Sequence, residues 1–347
     1  MRLPLVVLAG TVTLGGVAQA QTVTTGSDFE LSIEGEVYFA AEYADEDLGL
    51  EPPDAAGDVR EYFFNQSVEL GIEASRRDDA TGLRYGAYVE LENDGTSAEF
   101  DVAYMFAEGA FGELILGDED DINDNDDFAF NASTVAAGSG GVDGDQRSAP
   151  EFIVGDSATA TKILYYSPRF LGFAGAASFA LNEGDRGESA APKSGNAENI
   201  VNVALNWQGT LGGVGLGAYG GVIGADADDA RATNWVVGGK VDAFGLAFAG
   251  QYGDEDPAFS ADELAGDARD DFFNVGVGGQ WQNIDLSFNF QRDDYVGDTD
   301  KLTYIAGATA PLLPGVTLRG DAAWQTQEID GDDRDGLNLY LQLRTVF

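Results

Sequence analysis

Apolar and polar residues take turns along most of this chain. Between Phe29 and Tyr43 the odd positions are Phe29, Leu31, Ile33, Gly35, Val37, Phe39, Ala41 and Tyr43. The even positions are Glu30, Ser32, Glu34, Glu36, Tyr38, Ala40 and Glu42. Successive side chains of a strand point to opposite faces, so this spacing predicts one strand between an apolar and an aqueous environment. The period returns at Val275, Val277 and Trp281, and at Ile284, Leu286, Phe288 and Phe290. It returns again at Val316, Leu318, Ala322 and Trp324, and at Leu337, Leu339, Leu341, Leu343 and Phe347. None of these segments follows the 3.6-residue period of an amphipathic helix, which predicts an all-β protein. A stretch as long as 29–43 exceeds the usual globular strand of about five or six residues. A tilted strand crossing a bilayer needs about nine to eleven, with any excess projecting beyond it.

The connections alternate as well. Tight turns are expected near 77–82, 108–112, 169–172, 208–213, 242–245, 282–283 and 310–315. Between them fall acidic, glycine-rich and mostly longer loops at 44–59, 93–97, 118–158, 182–198, 224–232, 253–270, 293–300 and 328–335. These connections join sixteen strands. An even number places both ends on one side, as in an antiparallel barrel with short turns at one rim and long loops at the other. A β-sandwich also alternates, but with shorter strands and no such segregation of loop lengths. Crossing lipid without helices requires a closed sheet, because each unpaired backbone group there costs several kcal/mol. Gly217, Gly220, Gly221, Gly238, Gly239, Gly276, Gly278 and Gly279 fit curving strands in close approach.

Residues 1–20 stand apart. Arg2 precedes an apolar run from Leu3 to Val17, and Ala18-Gln19-Ala20 supplies small residues around a cleavage point. This pattern is expected to be a secretory signal peptide, leaving 21–347 as a single barrel domain.

Composition then narrows the chemistry. The 347 residues include no Cys and no His, which removes disulfides, thiolate nucleophiles, imidazole metal ligation and the Ser-His-Asp triad. An enzyme is therefore not expected. Sixty-one acidic against 18 basic residues give a formal charge of −43, which disfavours nucleic acid as a partner. With 44% apolar residues the chain is too hydrophobic to be an acidic disordered segment.

Three segments resemble the general Gram-negative porins. Phe111-Gly-Glu-Leu-Ile-Leu-Gly117 resembles the strand leading into their long third loop, and Tyr166-Ser-Pro-Arg-Phe-Leu-Gly-Phe173 the strand-turn-strand after it. Leu337 to Phe347 resembles their last strand with its aromatic terminus. Pro150-Glu151-Phe152, followed by Gly155-Asp156, is similar to a stretch inside the third loop of enteric members, with Ile153 and Val154 replacing one glycine. The resemblance implies a sixteen-stranded outer-membrane barrel, three per trimer, in contact with membrane lipid and lipopolysaccharide. Each barrel would pass small hydrophilic solutes without a required cofactor, its third loop folding inward to narrow the channel.

That loop is 118–158, about forty residues, a length that is usually functional or disordered when it lacks regular structure, the alternatives being a constriction and a floppy external loop. By carry-over Glu151 and Asp156 are the expected neck acids, followed by Asp124, Asp126 and Asp127. The family usually opposes such acids with Arg and Lys on the wall. Here the inward phase of the early strands instead supplies Glu30, Glu34, Glu36, Glu42, Glu69, Glu73, Glu90, Glu99 and Asp101, with Arg84 the clearest cation. Lys162, Lys240, Arg319 and Arg344 are the other lumen-phase cations, the phase near Lys162 being ambiguous. Unit charges 4 Å apart interact by about 4 kcal/mol at an effective dielectric of 20, so a carboxylate-lined neck should favour cations.

The function expected from these features is passive, cation-preferring diffusion. Its alternatives are a solute-selective channel, for which the inward Tyr38, Tyr88 and Tyr340 look too scattered, and a structural or adhesive barrel plugged by its loop. The acidic run from Asp118 to Asp127 also raises calcium binding, with Asp118, Asp121 and Asp124 as candidate ligands. It lacks the glycine and the terminal glutamate of a standard calcium loop, Asp126 and Ala132 standing there instead.

Overall fold

The computed structural model describes residues 21–24, 29–46, 61–93, 99–138, 152–183, 197–227, 230–257, 259, 269–296, 299–329 and 332–347. The expected signal peptide and Glu151 lie outside them. The strands in the first half are β1 (Gln21–Thr24), β2 (Glu30–Glu46), β3 (Tyr62–Arg77), β4 (Arg84–Asn93), β5 (Glu99–Gly109), β6 (Gly112–Glu119), β7 (Ala160–Tyr166) and β8 (Phe173–Asn182). They are followed by β9 (Glu198–Leu211), β10 (Val214–Ala227), β11 (Ala230–Ala243), β12 (Leu246–Asp254) and β13 (Arg269–Trp281). The last are β14 (Ile284–Tyr295), β15 (Thr299–Leu313), β16 (Val316–Ile329) and β17 (Asp332–Val346).

Each of the strands from β2 to β17 pairs antiparallel with the next, and β17 pairs back onto β2, so sixteen strands close a ring. The seam is finished by the final residue. Phe347 N–H donates to the Gly35 carbonyl and Gly35 N–H to the Phe347 carbonyl, both at 2.9 Å. Beyond that point β1 continues along the same edge, Gln21 standing opposite Ile33. This four-residue strand extends the sequence expectation, which began the sheet at Phe29.

Strands also run further than their composition suggested. Backbone pairing continues through acidic residues once placed in loops, so β10 and β11 reach Ala227 and Ala230, and β16 and β17 reach Ile329 and Asp332. A strand above the membrane keeps its ladder without needing an apolar face, which is why hydropathy alone ended these strands early.

The two faces differ sharply. Outward positions carry Phe64, Leu205, Val222, Phe288 and Leu341, each about half or more exposed. One outward row, running Val275, Phe290, Tyr304, Trp324 and Leu337 across β13 to β17, is wholly apolar and aromatic. Four residues further along the strands, the outward row of Asp254, Asp271, Asp294, Asp300 and Glu328 is wholly acidic. Soluble monomers rarely expose so large a contiguous apolar surface, whereas a hydrocarbon layer covers it at no cost. No helix is long and apolar enough to cross a membrane; the crossing elements are strands.

Candidate functional site

The interior is not uniformly polar, and this corrects the expectation of a wet inner wall throughout. Under residues 121–138 and 152–158 the inward phase of β6 to β13 includes Ile115, Leu164, Ile200, Ile223, Val236 and Phe272, all buried. Ile122, Phe128, Phe130 and Val154 of the loop pack against them. A small hydrophobic core therefore sits inside the barrel and holds the loop to one side of the ring.

The loop crosses the wall at right angles to the strands. Asn206 Nδ2 on β9 donates to the Phe128 carbonyl at 2.6 Å, and Ala132 N–H donates to Asn274 Oδ1 on β13 at 2.9 Å. Ala137 N–H reaches Ser287 Oγ on β14 at 2.7 Å, and Gly138 N–H reaches Thr309 Oγ1 on β15 at 3.0 Å. From Phe128 to Gly138 an extended chain can span about 35 Å. The arc from β9 to β15 is about 29 Å at about 4.8 Å per strand, and a 3-10 turn at Ala132–Val135 takes up much of the slack in the segment that bridges it.

Glycines make the approach close. A Cβ on Gly238 would stand 2.1 Å from the Phe130 carbonyl, one on Gly278 2.2 Å from that of Val135, and one on Gly307 1.8 Å from that of Ala137. Gly217 and Gly276 are similarly covered by Phe130 and Val135. Of the glycines noted in the sequence, these inward ones are required by the loop rather than by strand curvature.

A second attachment lies at the loop's return. Arg269 donates through Nε and Nη2 to Glu255 at 3.0 and 2.6 Å, pairs with Asp293 at 3.3 Å, and donates to the Ile153 carbonyl. Glu255 in turn accepts the Gly155 N–H at 2.7 Å. Arg269 also stacks 4.0 Å from the Phe272 ring centroid. Sequence reasoning missed this cluster because its members sit at strand ends, where phase is hard to assign.

The expected neck acids separate into two groups. Asp156 is 6% exposed, its oxygens accepting from Asn123 Nδ2 and Ala158 N–H at 2.9 Å each. Burial, then the neighbouring Asp121 carboxylate, pushes its pKa well up. It anchors the underside of the loop, which corrects its expected position facing the channel. Asp124, Asp126 and Asp127 are exposed. The protein packed around Asp124, then the like charges of Asp120 and Asp126, raise its carboxyl to about 7, although the side chain still opens onto the lumen. Asp126 is raised by the same surroundings, then by Asp127.

The candidate calcium ligands have separate partners. Asp121 accepts from Ile122 N–H and from the hydroxyls of Ser157 and Ser178 at 2.7, 2.7 and 2.6 Å, and Asp118 accepts from Thr161 Oγ1. Among the described residues no three carboxylates converge closely enough to hold a metal ion.

On the opposite arc, Glu34, Glu36, Glu69, Glu73 and Glu90 share the inward phase. Asp101 reaches it through a bulge, since Asp101 and Val102 together stand opposite Glu90. Two of the wall cations sit in ion pairs, and Lys240 takes the inward phase opposite Gly217. Arg84 pairs with Glu73 at 2.5 Å and Glu108 at 3.3 Å, and Arg344 pairs with Glu36. Lys162 is inward but buried beneath the loop, donating to the Ala158 carbonyl at 2.6 Å. Arg319 stands opposite Thr309 and Gln342 on the lumen side.

The family described as Gram-negative porin matches residues 5–330. The chain belongs to that family. It is an outer-membrane channel protein of the β-barrel type and not an enzyme. Among solved structures the porin resembles the anion-selective porin from Comamonas acidovorans, with 16% identity over 92% of this chain and 100% of that one, at a TM-score of 0.62. It also resembles a variant porin of Rh. blastica, with 15% identity over 91% of this chain and 100% of the other, at a TM-score of 0.63. A search of curated proteins returns no match.

Proposed function

We propose that this porin is a passive diffusion channel that favours cations, its neck lying between the seated loop and the acidic arc of β2 to β4. The observation that carries this reading is the pairing of wall cations. Arg84 and Arg344 are each paired with glutamate and Lys162 is buried, so carboxylates outnumber unburied cations on the open arc, where Glu34 and Glu69 are half-exposed and Glu90 is buried. Asp124, Asp126 and Asp127 add negative charge on the loop side. Low-dielectric walls around water focus such a field and raise the local concentration of counter-ions. The anion selectivity of the Comamonas protein belongs to that chain, whose likeness at 16% identity concerns the fold. Family membership supports a homotrimeric assembly embedded in outer-membrane lipid and lipopolysaccharide, with small hydrophilic solutes as cargo.

The test is the reversal potential of the reconstituted porin under a potassium chloride gradient. A potential of the cation-selective sign is expected, shrinking towards zero when Glu34, Glu69 and Glu90 are replaced together by Gln. An anion-selective sign in the natural protein would overturn the reading.

A further inference from the structure

The acidic arc also carries aromatic rings, and their arrangement is specific. Tyr88 on β4 stands opposite Glu73 on one side and Tyr104 on the other. Its ring lies down across Gly71 of β3, where an added Cβ would be 2.4 Å from the phenol oxygen and 3.0 Å from Cζ. Tyr88 is half-buried there, so part of its surface stays uncovered. Tyr88 OH donates to Glu90 Oε2 at 2.7 Å, which fixes the ring in that posture. Tyr104 continues the surface, its centroid 5.5 Å from that of Tyr88 at an interplanar angle of 32°.

The row beneath the ring runs Glu34, Gly71, Glu90 across three neighbouring strands. At about 4.8 Å per strand the two glutamates stand about 10 Å apart, with the Tyr88 ring over the glycine between them. A cation resting on that ring would have the half-exposed Glu34 on one side and, on the other, the field of the buried Glu90 that accepts the Tyr88 hydroxyl. Aromatic faces attract ammonium groups within about 6 Å of the centroid, the more so when the ion is weakly hydrated. The sequence listing of inward tyrosines missed this patch because Tyr104 lies past the β5 bulge, which shifts the strand's phase.

We propose that Tyr88 and Tyr104, flanked by Glu34 and Glu90, form a wall subsite for alkylammonium solutes, making organic amines a preferred cargo class of the channel. This rests on the cation-favouring reading above and adds a solute preference to it. An inorganic cation is drawn by the carboxylates alone, whereas an alkylammonium ion also gains the ring faces.

The test uses tetramethylammonium chloride added to one side of single reconstituted porin channels carrying potassium current. A saturable, concentration-dependent reduction of that current is expected. Tyr88→Leu should weaken the reduction about fivefold, and Tyr88→Phe, which keeps the ring but not its hydrogen bond to Glu90, should weaken it less. Gly71→Ala, which lifts the ring, should weaken it as Tyr88→Leu does. Absence of saturation in the natural protein, or equal block in Tyr88→Leu and the natural protein, would overturn the subsite. If saturation is absent while the potassium chloride reversal potential stays cation-selective, the subsite alone fails. An anion-selective reversal potential would remove the cation preference as well.

Discussion

Arg269 grips Glu255 with two hydrogen bonds, from Nε to Oε2 at 3.0 Å and from Nη2 to Oε1 at 2.6 Å, both side chains being 6% exposed. Because Glu255 also accepts the Gly155 N–H and Arg269 donates to the Ile153 carbonyl, this ion pair on the wall holds the returning arm of the loop.

Removing Arg269 leaves Glu255 buried without its cation and leaves Asp293 with only Lys301 opposite it. Breaking such a buried pair costs about 3–5 kcal/mol. Arg269→Met is therefore expected to loosen the loop before the barrel itself. Single-channel recordings should show larger, noisier open steps, and limited proteolysis of the intact barrel should cut the loop sooner. Unchanged step size and unchanged proteolysis would count against the latch.

The glycine seat makes a directional prediction. Gly278→Ala or Gly307→Ala puts a methyl group where a loop carbonyl now lies, 2.2 or 1.8 Å from the ideal Cβ position, so the loop must rise into the lumen. Conductance is expected to fall in both variants. Gly220→Ala is the matching control, since its Cβ would meet nothing nearer than 3.6 Å. Equal conductance in all three would show that the seat does not set the neck.

Selectivity should vary with pH around neutrality. The carboxyl of Asp124 is raised to about 7, so it is largely charged at pH 8 and largely neutral at pH 6. The potassium-to-chloride permeability ratio should accordingly be higher at pH 8. Asp124→Asn should give a lower ratio at pH 8 and flatten the change between pH 6 and 8. The folding sign is opposite. A carboxyl raised in the folded state favours folding below its unfolded pKa, and that contribution is lost as pH rises through about 7. Asp156→Asn, altering a group sealed beneath the loop, should shift the ratio far less than Asp124→Asn.

Alternation along each strand was enough to give the all-β class, the sixteen-strand ring and the inward glutamates of β2 to β4, because a pleated chain between oil and water must repeat every two residues. Spacing of short and long connections gave the rim on which the long loops lie. The residues that shape the neck were less legible. Asp156 and Asp124 are both acids in one loop, and nothing in their neighbours along the chain says that one is buried under Tyr219 and Asn123 while the other meets the lumen. Likewise alternation puts Gly278 on the inner face and Gly220 on the outer one, but nothing in the chain order says that the loop lies over Gly278.

What the chain order settled by itself is local: which face each strand residue takes, and where pairing can turn back. What tertiary structure decided is which wall the loop is laid on, which carboxylates it buries, and how Tyr88 comes to lie flat over Gly71. Those outcomes depend on side chains brought together from strands far apart in sequence, and a two-residue period holds no information about them.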